Sequence, residues 1–168
     1  ARMEAGRIFS EVNPVGGSEK ATAVKDAAQR MRVPLADVIY VGDSITDVEA
    51  FGLVRENGGL AVSFNGNQYA VKSAEIAVLS EHSIMTAIIA DSFSKFGKQP
   101  TLSLVENWSR QALKKSPVNH TLLSSLFKLY PSELPKVKII TSENMEILAK
   151  ESSEFRKKVR GEAIGRLG

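Results

Sequence analysis

The feature that most constrains this chain is the alternation of short apolar runs with segments of helical periodicity. The apolar runs are VIYV (38–41), GLAVSF (59–64) and AEIAVLS (74–80). A short, continuous apolar run that is rich in β-branched residues predicts a strand buried on both faces. Because strands that alternate with helices form βαβ units, we expect an α/β fold built on a parallel sheet.

Segments with apolar residues at three- to four-residue spacing lie between and after these runs, and this spacing predicts helices. The predicted helices span residues 19–32, 46–54, 70–73, 82–96, 102–115, 119–130 and 143–160. Two further segments, 7–12 and 136–141, have the composition of strands. We therefore expect strands and helices to alternate in the first part of the chain and helices to dominate the second.

Composition excludes several kinds of chemistry. The 168 residues include no Cys and only two His, His82 and His120, so disulfides, thiolate catalysis and a Cys/His zinc site are not expected. No apolar run approaches the roughly 20 residues that cross a bilayer, and the first residues lack the apolar core of a signal peptide. We expect a cytoplasmic protein without a membrane partner.

Charge divides the chain near residue 97. Residues 1–97 contain 9 basic and 12 acidic residues, whereas residues 98–168 contain 13 and 7. The change of sign falls at the sequence FGKQP, whose Gly and Pro typically interrupt regular structure. We therefore predict two regions, an α/β core over 1–97 and a basic, mainly helical extension over 98–168.

The segment VIYVGDSITD carries the strongest chemical signal. A predicted strand ends at Gly42, and Asp43 and Asp47 follow it, at the sheet edge where open α/β folds bind ligands. Lys20, near the start of the preceding helix, and Asn65, after the next strand, are expected at the same edge. Carboxylates suit a hard cation such as Mg²⁺. The alternative is that the two Asp residues only cap the following helix.

The order of these residues resembles a known family. Residues 17–79 are similar to the C-terminal half of the core domain of the haloacid dehalogenase (HAD) superfamily, and most similar to its phosphatases. That pattern is a Lys at a helix start, a strand ending in G-D-S-x-x-D, an Asn-containing loop after the next strand, then a Lys and an A-x-x-V strand. The matching segments are EKATAV (19–24), VGDSITD (41–47) and VSFNGNQYAVKSAEIAV (62–78). The resemblance implies a three-layer, Rossmann-like parallel sheet, followed here by a C-terminal helical extension.

The resemblance also implies roles for individual residues. Asp43 corresponds to a Mg²⁺ ligand, and Asp47 to a second acid that binds the metal directly or through water. Lys20 corresponds to the Lys that holds the phosphate beside the nucleophile. Ser44 and Asn65 are candidates for supporting the loop or contacting a phosphorylated small-molecule substrate. Together, Mg²⁺ and Lys20 would neutralise charge on a transferring phosphoryl group.

Two other Lys residues lie within the segment that resembles the family. Lys25 also lies in the first predicted helix, but it falls more than a turn inside it, so Lys20 is preferred. Lys72 follows the Asn-containing loop and is expected to be a solvated surface residue.

One part of the family pattern is missing. The family's chemistry needs a nucleophilic Asp in a D-x-D motif after the first strand and a Ser or Thr after the second strand. The sequence contains no D-x-D, and its first candidate motif already corresponds to the third motif of the family. Without a nucleophile no aspartyl phosphate forms, so we expect this chain alone to be inactive. The sequence also lacks an initiator Met, so we expect a fragment, one chain of a split enzyme or an incomplete sequence, with the nucleophile on a missing half or second subunit.

Two other classes of protein are considered. A non-catalytic HAD-like binding or regulatory module would use the same acidic pair to bind Mg²⁺ or to cap a helix. A receiver-like signalling domain fits less well, because its paired acids precede its Lys in sequence.

The basic run Arg156, Lys157, Lys158 and Arg160 is the remaining feature. Such a run could contact nucleic acid, but acidic residues are interleaved with it. We therefore expect a solvated helix end and no nucleic-acid partner.

Overall fold

The structure is a computed structural model, and it describes residues 16–165, with side chains as far as residue 161. The strands are β1 (Ile39–Gly42), β2 (Leu60–Phe64), β3 (Ile76–Leu79) and β4 (Lys136–Ile139). The α-helices are α1 (Gly17–Met31), α2 (Val48–Glu56), α3 (Gln68–Ser73), α4 (Ile84–Phe96), α5 (Lys98–Glu106), α6 (Arg110–Lys115), α7 (His120–Leu129) and α8 (Met145–Gly165). Short 3₁₀ turns cover Leu35–Asp37 and Ile45–Asp47.

The four strands form one sheet in the order β1-β2-β3-β4. The first three are parallel, with Gly42 paired to Ser63 and Phe64 paired to Val78, whereas β4 runs antiparallel to β3. All three predicted strands therefore form, and β2 and β3 are buried as predicted. The prediction of a fully buried strand is wrong for β1, which lies at the edge of the sheet with Val41 43% exposed. The strand predicted over 136–141 forms the antiparallel edge. The strand predicted over 7–12 lies outside the described residues.

Helices cover both faces of the sheet. Alternate residues of the strands, among them Leu60 and Val62, pack against α4–α7 in the largest apolar cluster. The strand residues at the intervening positions face the other side of the sheet. Ala61 packs against α2 and α3, and Ala77 packs against α3 and α8. The result is the predicted three-layer arrangement, and it explains why the strands are apolar on both faces.

The prediction of a single helix over 102–115 is wrong. The chain forms α5 and α6 instead, because Ser109 starts a new helix by accepting a hydrogen bond from the amide of Ala112. Helix α5 begins early, directly after Gly97, and Pro100 lies in its first turn, where a missing N–H costs no hydrogen bond. Apolar spacing continues across the break, so periodicity could not locate it.

The predicted boundary at residue 97 does not divide the core. Val105 and Leu126, from the basic region, pack in the same cluster as Leu60 and Ile88. Within the described residues, none of the helices is both long enough and apolar enough to cross a membrane.

Candidate functional site

The carboxyl ends of β1 and β2 bring the predicted site residues together. Asp43 directly follows β1 and Asn65 directly follows β2, and these strands are neighbours in parallel register. The two loops are joined by a hydrogen bond of 2.9 Å from the Asn67 amide to the Asp43 carbonyl. The sheet edge predicted from the sequence is therefore where Asp43 and Asn65 lie.

The carboxylate of Asp47 is the buried centre of this edge, with 4% of the residue exposed. Its Oδ2 accepts hydrogen bonds from the amides of Asp43 and Ser44, both at 2.9 Å, and from the Ser44 hydroxyl at 3.1 Å. Its Oδ1 accepts from Lys20 Nζ and from the Tyr40 hydroxyl, both at 2.8 Å. Asp47 was predicted to bind a metal directly or through water. With both oxygens so engaged, its contacts favour a positioning role over direct contact with a metal.

These contacts set the charge of Asp47. Burial alone would raise the pKa of its carboxyl, but the hydrogen bonds from Lys20, the Asp43 amide, Tyr40 and the Ser44 amide outweigh burial and hold the pKa well below its usual range. Burial raises the pKa of the Tyr40 hydroxyl far above its ordinary value, and the adjacent carboxylate raises it further. Asp47 is therefore an anion and Tyr40 a neutral donor at neutral pH.

Gly42 makes the close approach of Asp47 possible. A Cβ atom built on Gly42 would lie 2.5 Å from Asp47 Cγ and 2.7 Å from Asp47 Cβ. These distances are shorter than any van der Waals contact between carbon atoms. The glycine of the G-D-S-x-x-D pattern is thus required by packing at this turn.

Lys20 lies beside the acidic pair, as predicted. Its ammonium donates to Thr46 Oγ1 at 2.7 Å and to Asp47 Oδ1 at 2.8 Å. An ammonium has three N–H donors, so one remains for a ligand. The side chain is 30% exposed, and it lines a cavity of about 380 Å³ at the sheet edge. The orientation fits a cation that is held in place by the protein and presented to an anion.

Asp43 has a different partner from Asp47. Arg156 Nη1 lies 2.6 Å from Asp43 Oδ2 and 2.6 Å from the Asp43 carbonyl oxygen, and Arg160 Nη2 lies 3.3 Å from the same Oδ2. Both arginines lie on α8, which is anchored by a buried hydrogen bond of 2.7 Å from Ser152 Oγ to the Gly66 carbonyl. Because residues four apart share a helix face, this anchor places Arg156 over Asp43.

Asn65 shapes the loop through its backbone and its side chain. Its φ is +48°, in the left-handed region that Asn tolerates better than most residues. Its side-chain Nδ2 donates to the Ser80 carbonyl at 2.7 Å, and its side-chain Oδ1 accepts from the Ser80 backbone N–H at 2.9 Å. The side chain is thus committed to the neighbouring loop, which supports the predicted loop-stabilising role over substrate contact. The Asn65 carbonyl lies 3.2 Å from Arg156 Nη1.

The cavity is lined by both charges and apolar groups. Three cationic side chains and two carboxylates line it, so the lining has one excess positive charge, which favours an anionic ligand. The lining residues are Lys20, Val41, Gly42, Asp43, Asp47, Phe64, Asn65, Arg156, Val159 and Arg160. A larger cavity of about 550 Å³ is lined by Phe155 and Lys158 among others, but none of the predicted site residues lines it.

The oxygen atoms at this edge of the sheet are of the kind that binds Mg²⁺. Among residues 16–165, no three His, Cys, Asp or Glu side chains are grouped so that they could hold a metal ion. However, Mg²⁺ is commonly held by one or two carboxylates together with water and other oxygens. Asp43 Oδ2 and the carbonyl oxygens of Asp43 and Asn65 all lie within 3.2 Å of Arg156 Nη1 and are oxygens of the right kind. These donors therefore fit Mg²⁺ in type, with the Arg156 guanidinium beside them.

Comparison with known proteins supports the fold. The sequence matches no protein-family model and no curated protein. It is similar to the solved structure of gene product AF1437 from Archaeoglobus fulgidus, with a TM-score of 0.69 and 24% identity. The match covers 97% of this chain and 44% of that one, so the chain spans less than half the length of that structure. The fold is a Rossmann-like α/β fold.

Several residues of the site were missed by the sequence analysis. Tyr40 was assigned only to a buried strand. Arg156 and Arg160 were assigned to a solvated helix end, yet Arg156 is 16% exposed and lies at the cavity. Their separation from Asp43 by more than one hundred residues left no local signal. Lys72 is partly exposed, as expected, and pairs with Glu146 at 2.7 Å.

Proposed function

We propose that this chain is the cation- and phosphate-holding part of a HAD-type phosphomonoester hydrolase that depends on Mg²⁺. Its substrate would be a phosphorylated small molecule. The nucleophilic Asp would come from a segment or chain outside these 168 residues, so the isolated chain would be inactive.

One observation supports this proposal most strongly. Lys20, Asp43 and Asn65 come from three different parts of the sequence, and all line the same cavity at the carboxyl ends of β1 and β2. Open α/β sheets bind ligands at this edge. A lone helix cap would explain one Asp, but it would not explain a Lys aimed at the same cavity from the preceding helix.

Each residue has a distinct role in the proposal. Asp43 would hold Mg²⁺ with its carboxylate, assisted by the carbonyl oxygens of Asp43 and Asn65. Bound Mg²⁺ would supply positive charge that stabilises the transferring phosphoryl group. Lys20 would donate its remaining N–H to a phosphate oxygen, and Asp47 would hold Lys20 in position. Ser44 would fix the Asp43 loop through its bonds to Asp47.

The test compares the 168-residue chain with the full-length gene product. We expect the full-length protein to hydrolyse p-nitrophenyl phosphate only with Mg²⁺, and the 168-residue chain to have no turnover. Asp43→Asn in the full-length protein should lower kcat/KM by about 100-fold or more, because removing an electrostatic stabiliser of a transition state commonly costs that much. Asp26→Asn, an exposed change on α1, is the matched control and should leave kcat/KM within about twofold.

Two results would contradict the proposal. Turnover by the 168-residue chain would place the nucleophile within it. Absence of turnover by the full-length protein, across a panel of phosphomonoesters, would favour a non-catalytic binding or regulatory module instead.

A further inference from the structure

We infer that the guanidinium of Arg156 occupies the divalent-cation position of this site, so that Arg156 and Mg²⁺ compete for the same three oxygens. The inference rests on the proposed function only in taking Asp43 as a metal ligand. It adds the other two donors, which are backbone carbonyls, and a cation from α8 that must leave before a metal enters.

The number of oxygens around one nitrogen supports this inference. Arg156 Nη1 lies within 3.2 Å of Asp43 Oδ2, the Asp43 carbonyl oxygen and the Asn65 carbonyl oxygen. A guanidinium Nη carries only two hydrogens, so three acceptors exceed what it can satisfy with straight hydrogen bonds. One carboxylate oxygen and two carbonyl oxygens thus surround a single cationic group. Hard cations such as Mg²⁺ are bound by sets of oxygens of these same kinds.

The backbone holds these oxygens in place independently of Arg156. The Asp43 carbonyl accepts from the Asn67 amide at 2.9 Å, which leaves its second lone pair for a cation. The left-handed backbone of Asn65, fixed by the bonds of its side chain to Ser80, directs the second carbonyl towards the same point. Removing Arg156 would therefore leave the oxygens close together, where their partial charges repel and a cation is favoured.

Arg156 is also placed so that only its side chain needs to move. The Ser152–Gly66 bond holds the preceding turn of α8, and the Arg156 guanidinium lines the open cavity. Arg160, at 3.3 Å from Asp43 Oδ2, is 62% exposed and contributes a weaker, solvated contact. Rotation of the Arg156 side chain into the cavity would expose the oxygens without unfolding α8.

The experiment measures Mn²⁺ binding to the 168-residue chain by electron paramagnetic resonance and Mg²⁺ binding by calorimetry. We expect Arg156→Gln to lower both dissociation constants at least about tenfold, because it removes a half-buried charge that competes directly for the oxygens. Lys157→Gln removes an equal charge from the exposed neighbour on the same helix and should change them less than about twofold. Arg156→Gln combined with Asp43→Asn should lose the gain.

A second measurement uses the unaltered chain, in case Arg156→Gln folds poorly. Mg²⁺ should shift the side-chain guanidinium NMR signal of Arg156 and speed its hydrogen exchange, while that of Arg110, which packs on Phe127, stays unchanged. Equal metal affinity of Arg156→Gln and the unaltered chain would overturn the inference, as would an Arg156 signal that saturating Mg²⁺ leaves unchanged.

Failure of this inference and failure of the proposed function give different results. An active full-length hydrolase whose metal affinity is insensitive to Arg156 would refute the competition alone. A tenfold gain in affinity on Arg156→Gln, in a full-length protein without turnover, would refute the hydrolase alone.

Discussion

Lys20 Nζ lies 2.8 Å from Asp47 Oδ1, although 27 residues and the whole of β1 separate them. The pair joins the first turn of α1 to the turn that follows β1. Because Asp47 also accepts from the amides of Asp43 and Ser44, the same carboxylate fixes the loop that presents Asp43. Stability and site geometry therefore depend on one buried acid.

Asp47→Asn should lower the free energy of unfolding by about 2–4 kcal/mol, because an amide turns a donor towards groups that are themselves donors and leaves Lys20 unpaired. Urea denaturation followed by circular dichroism measures this loss. Asp26→Asn, on the exposed face of α1, is the control and should change stability by less than about 0.5 kcal/mol. Equal effects of the two changes would show that Asp47 contributes no more than a surface charge.

The same carboxylate predicts how stability depends on pH. The folded-state pKa of Asp47 lies below its unfolded value, so its contribution is complete above the ordinary Asp pKa of about 4 and is lost as the pH falls towards the lowered folded value. The stability difference between the unaltered chain and Asp47→Asn should be constant above about pH 5 and shrink below about pH 4. A difference that grows on acidification would contradict the assigned direction of the shift.

Sequence patterns predicted the sheet and most of its site because both depend on local features. Strands β2 and β3 are buried on both faces, so their continuous apolar runs were distinctive. The run of β1 was equally apolar, although β1 lies at the edge of the sheet and is only partly buried. Gly42, Asp43 and Asp47 lie within one turn of a strand end, and their placement follows from the topology of parallel sheets. Lys20 followed from its place at the start of the preceding helix.

The contribution of α8 could not be predicted in this way. The run containing Arg156 and Arg160 has the composition of a solvated helix end, and spacing does not specify which distant loop a helix face meets. That choice depends on tertiary contacts such as the buried bond from Ser152 to Gly66. The break between α5 and α6 was missed for the opposite reason, since a local cap at Ser109 overrode a periodic pattern.

Gly42→Ala should destabilise the chain through crowding against Asp47. The added methyl group would lie 2.5 Å from Asp47 Cγ, and the five hydrogen bonds of that carboxylate prevent it from moving aside. We expect a loss of about 2–4 kcal/mol in the free energy of unfolding, as for other overpacked sites.

Gly52→Ala is the matched control for Gly42→Ala. Gly52 lies within α2, and a Cβ there would have no atom within 4 Å apart from those of its chain neighbours and of the nearby helix backbone. Because Ala is the better helix former, this change should raise stability by up to about 1 kcal/mol. Thermal denaturation of both variants separates the two effects, and similar losses in both would exclude crowding at Asp47 as the cause.

Asn65 is expected to act through its backbone conformation and its two bonds to Ser80 together. Asn65→Gly removes the bonds but tolerates the positive φ, whereas Asn65→Ala removes the bonds and adds strain. Asn65→Ala should therefore be the less stable variant by about 1 kcal/mol, since left-handed backbone costs a Cβ-bearing residue about that much. Urea denaturation measures this order, and the opposite order would mean that the backbone conformation carries no strain.

The Ser80 amide should exchange with solvent faster in both variants than in the unaltered chain, because both lose the acceptor at Asn65 Oδ1. Unchanged exchange at Ser80 would show that the side chain of Asn65 does not hold the two loops together.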